Sequence, residues 1–140
     1  MPVATPARAQ QSQNLKRCSG EITVSFDQRN LACSELIKAA GDLPVKLSYV
    51  YCSRGNAFQE NKQLDLAIAD YDEAVKLDPE SYLGYLCRGN GYQARGQFDQ
   101  AIADYNRAIE LNSSLAGAFS GRGIAYRFKG DYDRAIADYT

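Results

Sequence analysis

Few side chains in this sequence could do covalent chemistry, and their types narrow the options quickly. The chain has four cysteines and no histidine. Without histidine there is no Ser-His or Cys-His nucleophile pair, no mixed Cys/His zinc site, and the commonest general base is missing. Cys52 and Cys87 could face each other from neighbouring helices. Two cysteines alone make a poor zinc site, however, and free cysteine commonly packs as a small apolar residue, so both are expected in the core. Cys18 and Cys33 lie fifteen residues apart. In a secreted protein they would most simply pair, closing a loop worth roughly 3 kcal/mol; in a reducing compartment they would be two thiols, one of them buried.

The remaining reactive candidates are carboxylates, which need a buried pocket to shift their pKa values before they can work as acids or bases. Asp70, Asp104 and Asp138 recur with the same period as Arg54, Arg88 and Arg122. A shared period predicts that the two series pair with each other inside each structural unit, as exposed ion pairs worth at most about 1 kcal/mol. A grip on phosphate or peptide by these arginines is the weaker reading. The expectation is a non-catalytic protein with no metal and no cofactor. Charges nearly cancel, 16 Lys plus Arg against 17 Asp plus Glu, with no basic run, which argues against nucleic acid. No stretch is long and apolar enough to span a membrane.

What must position these residues is a repeat. Ala-Ile-Ala-Asp-Tyr occurs at 67–71, 101–105 and 135–139, each copy 34 residues after the last. Arg-Gly recurs at 54–55, 88–89 and 122–123. Aromatics follow it at Phe58, Tyr92 and Tyr126 and precede it at Tyr51, Tyr85 and Phe119. Leu64, Phe98 and Tyr132 stand three residues before the pentapeptide. The spacing of Tyr51, Gly55 and Phe58 is that of one helical face. Gly96 and Gly130 break the chain, and Asp65, Asp99 and Asp133 are expected to cap a second helix. Ile68, Tyr71 and Val75, with Ile102, Tyr105 and Ile109, give that helix an apolar stripe. Pro79 is placed at the start of the next unit. Glycine within a helix costs about 1 kcal/mol relative to alanine, so Gly55, Gly89 and Gly123 in register imply close helix packing.

These units resemble tetratricopeptide repeats, with Gly, aromatic and Ala at that family's spacing. The departures are Arg54, Arg88 and Arg122 where leucine is usual, Lys62 where the first turn's glycine belongs, and Ser113 where the second unit's closing proline belongs. Lys62 is expected to strain or loosen its turn. The resemblance implies an all-α, right-handed superhelix, an α-solenoid of helix-turn-helix units: the first over 48–81, the second over 82–115 and a shortened third over 116–140.

Ahead of the repeats, residues 1–16 lack periodicity and read as disordered. Ala7-Arg8-Ala9 before Gln10 has the form of a signal-peptidase site without the apolar run upstream, as in a chain that begins inside a longer signal peptide. A chance alanine-rich tail is the alternative. Residues 17–47 are read as a capping region: Ser25 and Gln28 form a capping box, and the helix after them presents Cys33, Leu36, Ile37 and Ala40, resembling the second helix of a degenerate earlier repeat or a cap over the first full one. The segment is similar to that of bacterial exported repeat proteins with a cysteine pair ahead of the repeats. That resemblance implies a Cys18–Cys33 disulfide and a periplasmic or secreted location, the cytoplasm being the alternative.

The family's use of its concave side implies a scaffold that binds a peptide segment or helix of another protein. Its groove positions fall here on Tyr49, Cys52, Asn56, Gln59 and Glu60, then Leu83, Leu86, Asn90 and Gln93, then Ser120, Ile124 and Arg127. The amides suit an extended backbone and Leu83, Leu86 and Ile124 suit apolar side chains. The family's carboxylate clamp does not transfer. Its positions hold Cys52, Asn56, Cys87, Gly117 and Gly121, of which only Asn56 agrees. The second expectation is an architectural module that self-associates through apolar surface at Tyr126, Ile136 and Tyr139 near the C-terminal end, the alternative being a fragment of a longer array that covers that surface itself.

Overall fold

The computed structural model describes residues 3, 5–41 and 45–140, and the described residues form helices and turns without strands. Eight helices follow in order: α1 (Pro6–Ser19), α2 (Phe26–Lys38), α3 (Leu47–Glu60), α4 (Leu64–Leu77), α5 (Tyr82–Ala94), α6 (Phe98–Leu111), α7 (Ala116–Phe128) and α8 (Tyr132–Tyr139). They stack as four antiparallel pairs, each odd helix packing on the even helix after it.

Curvature follows from which helices touch across units. Each odd helix meets the next odd helix, α1 on α3, α3 on α5 and α5 on α7, whereas the described parts of α4, α6 and α8 do not meet one another. The odd row is therefore the tight inner side of an arc and the even row its splayed outer side.

The inner approach is set by glycine. A Cβ built on Gly91 would stand 2.8 Å from the Tyr71 ring, and one on Gly121 would stand 2.5 Å from the Tyr105 ring. Gly55 and Gly89 face the same two rings from the other side. Each tyrosine thus lies between its own unit's first helix and the next unit's, and both are fully buried.

Several expectations are corrected at the helix ends. Asp65 and Asp99 are not caps: α4 and α6 are entered from Gln63 and Gln97, and the aspartates sit in the first turn, where a negative charge complements the exposed N–H groups. The cap of α8 is Asp131, which accepts from the Arg134 N–H, and Asp133 again lies in the first turn. Pro79 lies in a turn closed by the Ser81 N–H donating to the Asp78 carbonyl, and Ser81 caps α5. The residue replacing a turn glycine, Lys62, holds φ +62°, beside +75° for Gly96 and +81° for Gly130. The turn is thus kept in its left-handed form by a residue that pays for it sterically.

The N-terminal expectation is also corrected. Residues Pro6 to Ser19 form helix α1, entered through Thr5, whose hydroxyl accepts from the Arg8 N–H, and ended by Gly20 at φ +82°. Thr before Pro is a start signal, and Ala, Gln, Lys and Arg are good helix formers. Only Leu15 and Cys18 of this helix join the core, with Cys33, Leu36 and Val50, so its apolar stripe is too thin to read as periodic. Helices α1 and α2 accordingly form a pair ahead of the first full repeat, which fits α2 as the second helix of an earlier degenerate unit; the expected Ser25–Gln28 capping box at the head of α2 is present. Of the region 17–47, residues 42–44 lie outside the described residues.

Candidate functional site

The inner row of odd helices carries the candidate site. Its floor is the aromatic and alanine core: Ile68, Tyr71 and Ala74 with Cys52 and Cys87 under the first two repeats, and Ala101, Tyr105, Ala108 and Ala118 under the next. The side chains expected to face a partner divide into three groups by what holds them.

The first group is committed to the interior. Cys52 is buried at the floor, and the structure brings its sulfur to disulfide distance of Cys87, across Cα atoms 6.3 Å apart. This corrects two expectations: the pair are not independent apolar cysteines, and Cys52 is not on the groove surface. Their sequence positions, one residue out of register in successive repeats, were the available signal. Cys18 and Cys33 are likewise at disulfide distance, with Cα atoms 4.9 Å apart. Leu83 and Leu86 are half-buried and pack against the two core clusters, leaving them less free for a partner than their type suggested. Ile124 is half-buried too.

The second group is polar and oriented. The Tyr71 hydroxyl lies 2.8 Å from the Asn56 Oδ1 and 3.1 Å from the Gln59 Oε1. The Tyr105 hydroxyl repeats this with Asn90 at 2.7 Å and Gln93 at 3.1 Å. Burial pushes both phenols above the usual tyrosine range, so each remains a neutral hydroxyl with one proton to give. A hydroxyl with one proton donates chiefly to the nearer amide oxygen, of Asn56 or Asn90, with the glutamine oxygen as the second acceptor beside it. Each Asn/Gln pair is thus held through its oxygens, and its amide N–H groups are left as donors for the concave side. Sequence spacing located the amides; nothing in it showed that a buried phenol aims them.

The third group stands free or paired at the rim. Tyr49, Ser120 and Arg127 are exposed, and Glu60 is exposed but held by Arg29 at 2.8 Å. A depression of about 420 Å3 opens beside the amides, lined by Gln59, Asn90, Gln93, Ala94, Phe98 and Phe128. Phe98 and Phe128 were not among the expected groove residues. Both come from helix ends, where the apolar stripe gives no reason to expect an exposed ring.

The recurring Arg and Asp residues do pair, but not as exposed surface bridges. Arg54, Arg88 and Arg122 each form a two-pronged bond to Asp70, Asp104 and Asp138, whose side chains are 8%, 8% and 6% exposed. The hydrogen bond to the aspartate raises each guanidinium further above its usual range, so none gives up its charge. A third contact reaches back to the preceding unit: Arg54 to Ser34, Arg88 to Asp72 and Arg122 to Asn106. Aromatics three residues before and four after flank each guanidinium, as Tyr51 and Phe58 do Arg54 at 5.5 and 5.7 Å. Arginine in place of the usual leucine therefore ties one unit to the next, and is not available to grip a ligand.

A solenoid of stacked helix pairs with an amide-lined inner face is the architecture of a protein-protein interaction module. Family models place it more narrowly. A tetratricopeptide repeat model matches residues 48–81 and a TPR repeat model matches residues 89–127; the chain belongs to the tetratricopeptide repeat family. Among solved structures, the second TPR domain of Spaghetti (RPAP3) bound to the HSP90 peptide SRMEEVD is 26% identical, over 75% of this chain and 93% of that one, with a TM-score of 0.64. The Arabidopsis OM64 TPR domain is 21% identical over 86% of this chain and 93% of that one, at a TM-score of 0.72. MamA is 22% identical over 99% of this chain and 72% of that one, at 0.71. The last two show likeness of fold alone. No curated protein matches the chain.

Proposed function

We propose that this chain is a non-catalytic scaffold that holds an extended segment of another protein along its inner face, without a carboxylate clamp. The observation that carries the reading is the repeated pair Asn56/Gln59 and Asn90/Gln93, each held through its amide oxygens by a buried phenol so that the amide N–H groups are left to donate to peptide carbonyls. An extended backbone offers a carbonyl acceptor at every residue. The peptide bound by the RPAP3 domain supports a segment-binding role in general. The clamp positions argue for a different grip: Cys52 and Cys87 are at disulfide distance of each other, Gly117 and Gly121 carry no charge, and Asn56 already accepts from Tyr71.

A photo-cross-linker at Asn90, compared with one at Glu110 on the outer row, tests this. The segment captured from Asn90 alone is then made as a synthetic peptide and titrated. Asn56→Ala with Asn90→Ala should weaken its binding about tenfold, a loss of about 1.4 kcal/mol; undiminished binding places the site elsewhere and defeats the reading.

The two cysteine pairs also support an oxidising compartment, periplasmic or extracellular. Thiol titration of denatured protein taken directly from its source should find none free; four free thiols would assign it to the cytoplasm. A second reading, self-association, rests on α8, where Ile136 is 61% and Tyr139 50% exposed while their equivalents Ile68 and Tyr71 are 7% and 0% exposed. Sedimentation that stays monomeric at high concentration excludes it.

A further inference from the structure

The depression beside the amides has a chemistry of its own, and on the reading of the inner face as a segment-binding groove it specifies part of the segment. Phe98 and Phe128 stack with ring centroids 5.0 Å apart and planes within 4° of parallel. Phe128 is nevertheless 62% exposed, so much of the stack remains in water. The guanidinium of Arg127 lies 5.4 Å from the Phe128 centroid. Arg127 stands one repeat on from Gln93, which lines the depression, and so continues the same inner row.

Charge around it is otherwise settled. Glu60 is paired with Arg29, Arg95 with Asp65 and Lys129 with Asp99. Among the described residues no carboxylate stands within salt-bridge distance of Arg127, leaving an unpaired cation beside an exposed ring.

We infer that the bound segment presents an aromatic side chain next to an acidic one, the ring seated against Phe128 in the depression and the carboxylate on Arg127. An exposed parallel pair is extended most favourably by a third flat ring, because offset stacking adds to the burial of apolar area. A guanidinium presents a planar fork that matches a carboxylate through two hydrogen bonds. The amides of Asn90 and Gln93 hold the backbone between the two side chains. This grip uses a side-chain carboxylate at the end of α7, away from the positions of the family's clamp.

An array of synthetic eight-residue peptides tests it, each acetylated and amidated so that no terminal carboxylate is present. The peptides carry Phe, Leu or Ser at one position and Asp, Asn or Lys beside it. Retention of the Phe-Asp peptides about tenfold above the Phe-Lys and Ser-Asp ones is expected. Arg127→Glu should reverse the charge preference without moving the melting temperature, because the side chain is exposed and unpaired. Phe128→Ser should remove the preference for Phe while lowering the melting temperature slightly through the lost stack on Phe98. Retention blind to charge or to the ring overturns this inference and leaves groove binding standing; no peptide retained by the wild-type chain overturns both.

Discussion

The joint between the first and second repeats and the joint between the second and third are built on one plan with different parts. In each, a buried tyrosine is wedged between two first helices and an arginine reaches back across the seam. In the first joint the small residue against the ring is Gly91, and Cys87 sits one turn before it. In the second the positions are exchanged: Gly121 takes the place of Cys87, and Ala125 that of Gly91. The tyrosine needs one gap in the helix facing it, and either position can supply that gap. Only the first arrangement leaves room for a cysteine, and only the first joint has a sulfur pair. The backward contact also differs, Arg88 to the carboxylate of Asp72 and Arg122 to the amide of Asn106.

The largest expected effect falls on the first joint alone. Replacing Cys52 and Cys87 together by alanine in the oxidised protein should cost about 4 kcal/mol, the chain-entropy value for a loop of this size. Urea titration measures the loss, and hydrogen exchange should show it at α3 and α5 while α7 is little changed. Next comes Asp104→Ala, which leaves Arg88 half-buried with only its exposed partner Asp72 and should cost about 3 kcal/mol. If the loss is under 1 kcal/mol, the pair behaves as an exposed one after all. Gly121→Ala, which drives a methyl against the Tyr105 ring, should cost about 2 kcal/mol; alanine is tolerated at the neighbouring position 125 because there it is native.

The smallest effect concerns the phenols. Tyr105→Phe keeps the ring and loses the hydroxyl, for about 1 kcal/mol at neutral pH. The variant also changes the alkaline limb. The unfolded chain releases a tyrosine proton near the ordinary value of 10.0 and the folded chain holds it to higher pH, so the wild type loses stability as pH rises past that value. Melting temperature followed above pH 10 should therefore fall less steeply in the variant than in the wild type; parallel curves would mean the hydroxyl is in water.

The repeat was legible because it rests on residues with few substitutes. Gly55, Gly89 and Gly123, with Ala67, Ala101 and Ala135, mark places where backbones must approach, and they fixed the helix pairs and their period. Helix α1 was hidden because only Leu15 and Cys18 of its residues join the core. Helix entries shifted by a residue or two because aspartate favours the cap and the first turn by related electrostatics. The inner face was legible as a set of positions, but not in its orientation: that Tyr71 holds Asn56 and Gln59 depends on a contact between helices, as does the meeting of Cys52 with Cys87. Arg54 and its equivalents read as surface charges since the pattern shows their partner but not its depth. Phe98 and Phe128 come together from helix ends, where no period links them.

The arrangement in which odd helices touch and even helices stand apart has a mechanical consequence. Each joint has its fulcrum at the inner row. When the arc opens or closes, the gaps between outer helices change most, and distances along the inner row change least. Were the arc to bend about that row, Asn56 and Asn90 would be graduations on a rule that keeps its scale, and a bound strand would be measured in the same steps.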